Sequence, residues 1–265
     1  MDRTEWAQAL ERAGLAGWVP NSRDANLRAV RQMLEGVSFY TFGIGLVHRA
    51  LALGMLDEDG VVALMAESCG LEAAEAFRER DGFIAPDRTV AGIWAAADLI
   101  ERVLRARPGA RMAFGTGHPG ALLTCYQRLA AHLAALGGCP VAGPVGAAVG
   151  VDWVLDMLGD VAVTSDTCGI LHGHGTRAME ALLSARTGPV DLVIADHGHA
   201  GAAINAGIPT IALMDTNDPA LAVAARLGAR DLVVIPCFDN RPNAVSVLVA
   251  DLIHQAVAHR LGVLT

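Results

Sequence analysis

The chain has 265 residues, 53% hydrophobic and 18% charged, which is ample for one large α/β domain or one such domain with a helical cap. Its 28 acids against 20 bases leave a net charge of −8, which argues against nucleic acid or an anionic membrane as the main partner. Every base is arginine, so Schiff-base catalysis and a lysine-dependent phosphate loop are excluded.

The stretch Met1 to Trp6 lacks the basic-then-apolar pattern of a signal peptide, and no apolar run is long enough to span a bilayer. Cys69, Cys125, Cys139, Cys168 and Cys237 are scattered without CxxC spacing and read as reduced thiols, so a cytoplasmic location is expected. Residues 1–110 read as a mainly helical cap packed on the core. Arg3 to Ala13 and Ser22 to Leu34 are amphipathic, Asp57-Glu58-Asp59 caps a helix to Cys69, and Pro86-Asp87 opens a long one. Val37 to Leu46, apolar and glycine-punctuated, fits a first strand or a buried loop.

From Arg111 the pattern alternates strand and helix. Strands are expected at Arg111–Gly115, Val141–Ala148, Asp160–Thr164, Val190–Ala195, Thr210–Met214 and Asp231–Ile235. Helices are expected at Pro119–Leu136, Gly175–Ala185, Ala200–Ala206, Pro219–Leu227 and Asn243–Leu261. Residues 111–265 therefore read as an α/β core: an open, mostly parallel, doubly wound Rossmann-like sheet covered on both faces. On the final helix, Val245, Leu248, Leu252 and Ala256 form an apolar stripe suited to the core or to a homodimer.

In such a sheet the turns after the strands gather on one edge, where ligands bind. Gly115-Thr116-Gly117-His118-Pro119 opens a helix, and its amides suit an anion, phosphate above all, with Thr116, Gly117 and His118 as contacts. His172-Gly173-His174 supplies two imidazoles suited to a metal or a phosphate, and Thr176 begins the next helix. Asp196, just past an apolar strand and beside His197, reads as a metal ligand or a nucleophile. The next turn, Asp215-Thr216-Asn217-Asp218-Pro219, brings Asp215 as the functional acid and Asn217 as a contact, with Asp218 read as a helix cap. The last turn adds Asp239 and Arg241, the latter a bidentate clamp for phosphate, and Asn243 as a cap. No GxGxxG opens a βαβ unit and no GxSxG turn exists, which disfavours a dinucleotide enzyme and a serine hydrolase.

The stretches Ala63–Gly70, Ile84–Val90, Gly115–Pro119, His172–His174 and Asp191–Pro219, in that order, resemble an actinobacterial family of phosphatases. The Asp-His-Gly turn and the Gly-Ile-Pro…Asp-Thr-Asn-Asp-Pro turn are the most specific part. The resemblance implies a phosphomonoester hydrolase. His199 and Arg177 depart from the family pattern, as do Phe39 to Leu56 and Phe238 to Pro242. Val190 to Leu252 is also similar to part of ribosomal protein S2, which implies a flavodoxin-like sheet.

Together these point to a phosphatase of a small phosphorylated metabolite, assisted by a divalent ion (Mg, Mn or Zn). His172, His174, Asp196 and Asp215 would be ligands, and Asp196, His197, His118 and Asp215 the catalytic groups. A variant makes Asp196 the nucleophile, although the DxDx[TV] pattern is absent there. Rival readings with the same turns are a non-catalytic phosphometabolite-binding protein, or a phosphosugar isomerase or lyase.

Overall fold

A computed structural model of the chain describes residues 2–185 and 188–263, so Met1 and Thr265, the outer ends of the two expected regions, lie outside the described residues. The N-terminal part runs α1 (Arg3–Arg12), β1 (Gly17–Trp18), α2 (Arg23–Leu34), α3 (Ser38–Thr41), α4 (Gly45–Ala52), α5 (Glu58–Cys69), α6 (Ala74–Glu79), β2 (Phe83–Ile84) and α7 (Pro86–Ala106). Its helix starts follow the expected capping chemistry: Asp2, Ser22 and Asp57 each accept a backbone N–H from the first turn of their helix. Trp6 on α1 stacks on Trp94 of α7, centroids 5.4 Å apart.

Val37 to Leu46 is neither strand nor loop. It holds α3 and the start of α4, separated by Phe42 and Gly43, both left-handed (φ 52° and 62°). The turn buries Phe42 and Ile44 completely. Strands β1 and β2 pair antiparallel, Gly17 opposite Ile84, and are too short to show alternation in sequence.

The core continues with β3 (Arg111–Gly115), α8 (Pro119–Ala135), β4 (Cys139–Pro140), β5 (Val154–Leu158), β6 (Val161–Ser165), β7 (Ile170–Leu171), α9 (Arg177–Ser184), β8 (Leu192–Asp196), α10 (His197–Asn205), β9 (Thr210–Met214), α11 (Pro219–Arg226), β10 (Leu232–Pro236) and α12 (Asn243–Leu261). The open sheet has the order β10-β9-β8-β3-β6-β5, parallel from β10 to β6. The edge strand β5 is antiparallel to β6.

The strand expected at Val141–Ala148 is not formed; β5, which periodicity missed, takes the edge instead. Gly143, Pro144 and Gly146 explain this, since proline lacks the N–H and glycine the side chain that a ladder needs.

Helices α7, α8 and α12 pack together on one face of the sheet, and α9, α10 and α11 on the other. Since α8 leaves β3 on one face and α10 leaves β8 on the other, the topological switch lies between these two strands, where such sheets open a ligand crevice. Leu252 and Ala256 of the α12 stripe are buried within this core, and Val245 and Leu248 pack against it. Among the described residues no helix is long and apolar enough to cross a membrane.

Candidate functional site

The crevice at the switch point is filled by histidine and aspartate. From β8, Asp196 and His197 are both buried. Strand passes directly to helix there, because His197 adopts a left-handed φ of 45° where an ordinary residue would continue the strand. This sharp turn folds the ring back on its neighbour: His197 Nδ1 lies 2.6 Å from Asp196 Oδ2. The other ring nitrogen, Nε2, faces Asp218 Oδ1 and Asp239 Oδ2, each at 3.4 Å. Asp196 Oδ2 also accepts the Gly117 N–H at 2.9 Å, while its Oδ1 has no hydrogen-bond partner among the described residues.

Two neighbouring turns complete the ring of rings. His118 Nδ1 lies 2.9 Å from Asp239 Oδ2, and its ring stacks on His172 with centroids 4.0 Å apart. His174 stacks on His197, also at 4.0 Å, and its Nδ1 faces the Phe39 carbonyl oxygen at 2.8 Å. His172 and His174 approach through their Nε2 atoms at 3.1 Å. Gly198 and Gly117 permit this closeness, because a Cβ at Gly198 would collide with the His174 carbonyl and one at Gly117 with that of Gly173.

Four aspartates, 196, 215, 218 and 239, are at most 2% exposed, and their only ion-pair partners among the described residues are histidines. Burying a carboxylate without compensation costs several kcal/mol. The cost appears in their basicities. Burial, then Asp239 and Asp218, drives the Asp215 carboxyl well above its usual range, and burial with Asp218 pushes Asp239 up to about 8. For Asp196 and Asp218 burial acts the same way, but His197 outweighs it and both are lowered. Burial opposes the charge on His197 too, yet Asp218 and Asp196 win and raise it strongly. Burial lowers His118 and brings His172 to about 4 and His174 to about 3, so these rings stay neutral, the form that ligates metals.

This donor set fits a divalent cation. His197, Asp218 and Asp239 offer ligand atoms all within 4.8 Å of one another, as do His118, His174 and His197. The two 3.4 Å separations around His197 Nε2 match the edge of a tetrahedron whose metal–ligand bonds are about 2.1 Å. Asp196 on the far nitrogen is the partner that orients such a histidine.

The expected ligands are distributed differently from their sequence assignment. His174 belongs to a candidate group; His172 lies beside it at the exposed rim. Asp196 stands behind His197 and Asp215 is turned to the protein, its oxygens bound by Asn21 Nδ2 at 2.7 Å and the Thr216 N–H at 2.6 Å. Asp218 occupies the N-cap position of α11, but its side chain does not bond the helix: it accepts the Asp215 N–H at 2.9 Å and faces His197.

The phosphate contacts are also redistributed. The amides at the start of α8 are already engaged, Gly117 by Asp196 and His118 by the Thr116 hydroxyl at 2.9 Å, so Thr116 and Gly117 brace the turn. Arg241 is drawn away: its Nε donates to the Gly14 carbonyl at 3.1 Å and its guanidinium lies over Phe238. Asn243 does not cap α12. Its Nδ2 donates to the Pro119 and Gly120 carbonyls and its Oδ1 accepts the Thr124 N–H, tying α12 to α8. Asn217 is half-buried between Thr216 and Asp218, and Thr176 lines a cleft with His172 and His174.

A histidine–aspartate centre at the switch point of a doubly wound sheet marks an α/β enzyme site. The family model described as Phosphatase matches residues 1–259. A protein from Streptomyces coelicolor (strain ATCC BAA-471 / A3(2) / M145), Phosphatase SCO2771, is 34% identical over 242 residues, 90% of this chain and 89% of that protein. The chain belongs to this family of phosphatases.

Proposed function

We propose that the protein hydrolyses a small phosphomonoester with the help of a divalent metal ion held by His197, Asp218 and Asp239. The observation that carries this reading is the orientation of His197: Nδ1 locked on Asp196 at 2.6 Å, Nε2 shared between two buried carboxylates. An ion there supplies polarisation of the phosphoryl oxygens and acidification of a water, and relieves the repulsion among the aspartates.

The chain's own groups do the rest. Asp239 orients His118 through Nδ1, leaving His118 Nε2 to take the proton of the attacking water. Its lowered basicity keeps it neutral and ready to accept. His172 and His174 contact the substrate phosphate from the open side. Asp215, its carboxyl driven up by burial, accepts from Asn21 and the Thr216 N–H, which anchors the β9 turn and keeps Asp218 in register.

The test is release of inorganic phosphate from a panel of phosphorylated metabolites, after chelation and again with Mg²⁺, Mn²⁺ or Zn²⁺ restored. Metal-dependent release that Asp239→Asn abolishes is expected. Undiminished release by the chelated protein overturns the metal assignment.

A further inference from the structure

Beside the histidines lies a cleft of about 800 Å³ lined in part by His172 and His174, and His174 in turn stacks on His197 of the proposed metal centre. Val149, Val151, Leu171, Phe39 and Trp153 supply most of its side-chain surface, with the hydroxyls of Ser38, Thr164 and Thr176 among them. Phe39 is 44% and Trp153 51% exposed, large aromatic surfaces that the fold leaves uncovered beside its reactive centre. Among the described residues no aspartate or glutamate lines the cleft, and Arg177, the arginine that does, points Nη1 toward the Val149 carbonyl at 3.5 Å.

Planar groups are already stacked in series here. Phe39 lies flat on His174 (centroids 3.7 Å, planes 17° apart), and His174 lies flat on His197 (4.0 Å, 21°). The stack runs from the cleft wall to the buried nitrogen that faces Asp218 and Asp239. A phosphate held by His172 and His174 would leave its ester group in the cleft that Phe39 and Trp153 also line.

Resting on the phosphatase reading above, we infer that the substrate is a phosphomonoester whose leaving group is uncharged and carries a flat apolar or aromatic ring. A polyol would exchange its hydrogen bonds to water for those of Ser38, Thr164 and Thr176 alone, and would leave the exposed faces of Phe39 and Trp153 without an apolar partner. A second phosphate would meet a single arginine and no other cation. A ring, by contrast, buries apolar surface and gains stacking on both aromatics.

The test compares 2-naphthylmethyl phosphate with glucose 6-phosphate in the metal-restored wild-type protein. Both are esters of primary alcohols, so the basicity of the leaving oxygen is matched. A kcat/KM at least about tenfold higher for the naphthyl ester is expected. Trp153→Ala should raise its KM about tenfold with kcat little changed, shrinking the preference. Equal kcat/KM for the two esters, with metal-dependent release intact, overturns the substrate class and leaves the phosphatase reading standing. If neither ester is hydrolysed under any metal, that reading fails. Calorimetric binding of the same two esters to wild type and Trp153→Ala then decides the cleft separately: no preference for the naphthyl ester, or one unaffected by the variant, overturns the inference.

Discussion

Asp196 and His197 are sequence neighbours whose side chains meet: Oδ2 and Nδ1 lie 2.6 Å apart inside the protein. Consecutive residues of a strand point to opposite faces, so the contact exists only because His197 leaves the strand with a φ of 45°. A left-handed histidine costs roughly 1–2 kcal/mol, and the fold retains it at the point where three aspartates converge on one ring.

Asp196→Asn should therefore disable the centre without unfolding the chain. An amide cannot hold the Nδ1 proton as a carboxylate does, and the orienting bond weakens. A loss of about 10- to 100-fold in metal affinity or in kcat/KM is expected. Phosphate release together with competition against a coloured chelator checks both, and near-normal values in both assays would contradict the role given to Asp196.

Chelation should lower the melting temperature. Among the described residues the buried aspartates 196, 218 and 239 have only histidines as ion-pair partners, and an ion that binds the folded state alone stabilises it. At a hundredfold excess over Kd the gain is about 2.7 kcal/mol. Scanning calorimetry with graded metal would show a rising midpoint, whereas a midpoint indifferent to metal would count against an ion at this site.

Two glycines in helices should respond to alanine with opposite signs. Gly201 on α10 faces the Phe42 carbonyl, and a Cβ there collides with it; Gly120 near the start of α8 has no neighbour within 4 Å of such a Cβ. Helix propensity favours Gly120→Ala by about 0.5 kcal/mol. At Gly201 the same gain is outweighed by overpacking of about 1–3 kcal/mol. Denaturant titration reads both, and stabilisation by Gly201→Ala would show that α10 and the Phe42 turn are not in contact.

Asn243→Ala should destabilise the protein by about 1–2 kcal/mol, because three hydrogen bonds from its side chain join α12 to α8. Since the side chain is half-buried, water recovers part of the loss. A change of midpoint with an unchanged denaturant slope is the expected signature.

Local pattern was sufficient wherever one element carries its own signal. Apolar runs bounded by turns located β3, β8, β9 and β10, and caps such as Ser22 and Asp57 located helix starts. It failed where a partner decides. Val154–Leu158 becomes a strand only by pairing with Val161–Ser165 at the sheet edge, while Val141–Ala148 is hydrophobic enough but carries a proline and glycines. Val37–Leu46 divides at a left-handed Phe42 that packing, not propensity, sustains.

For the site, the chain by itself determined which turns bring histidines and aspartates together, since those that follow strands of a parallel sheet share one edge. Tertiary structure decided which atom faces which. In sequence Asp218 looks like a cap and Asp239 belongs to the last turn without an assigned partner, but Nε2 of His197 lies 3.4 Å from both. Arg241 looks like a phosphate clamp, but Gly14, far away in sequence, holds it. Side-chain direction depends on backbone turns, burial and long-range neighbours, and these exist only once the sheet has closed around them.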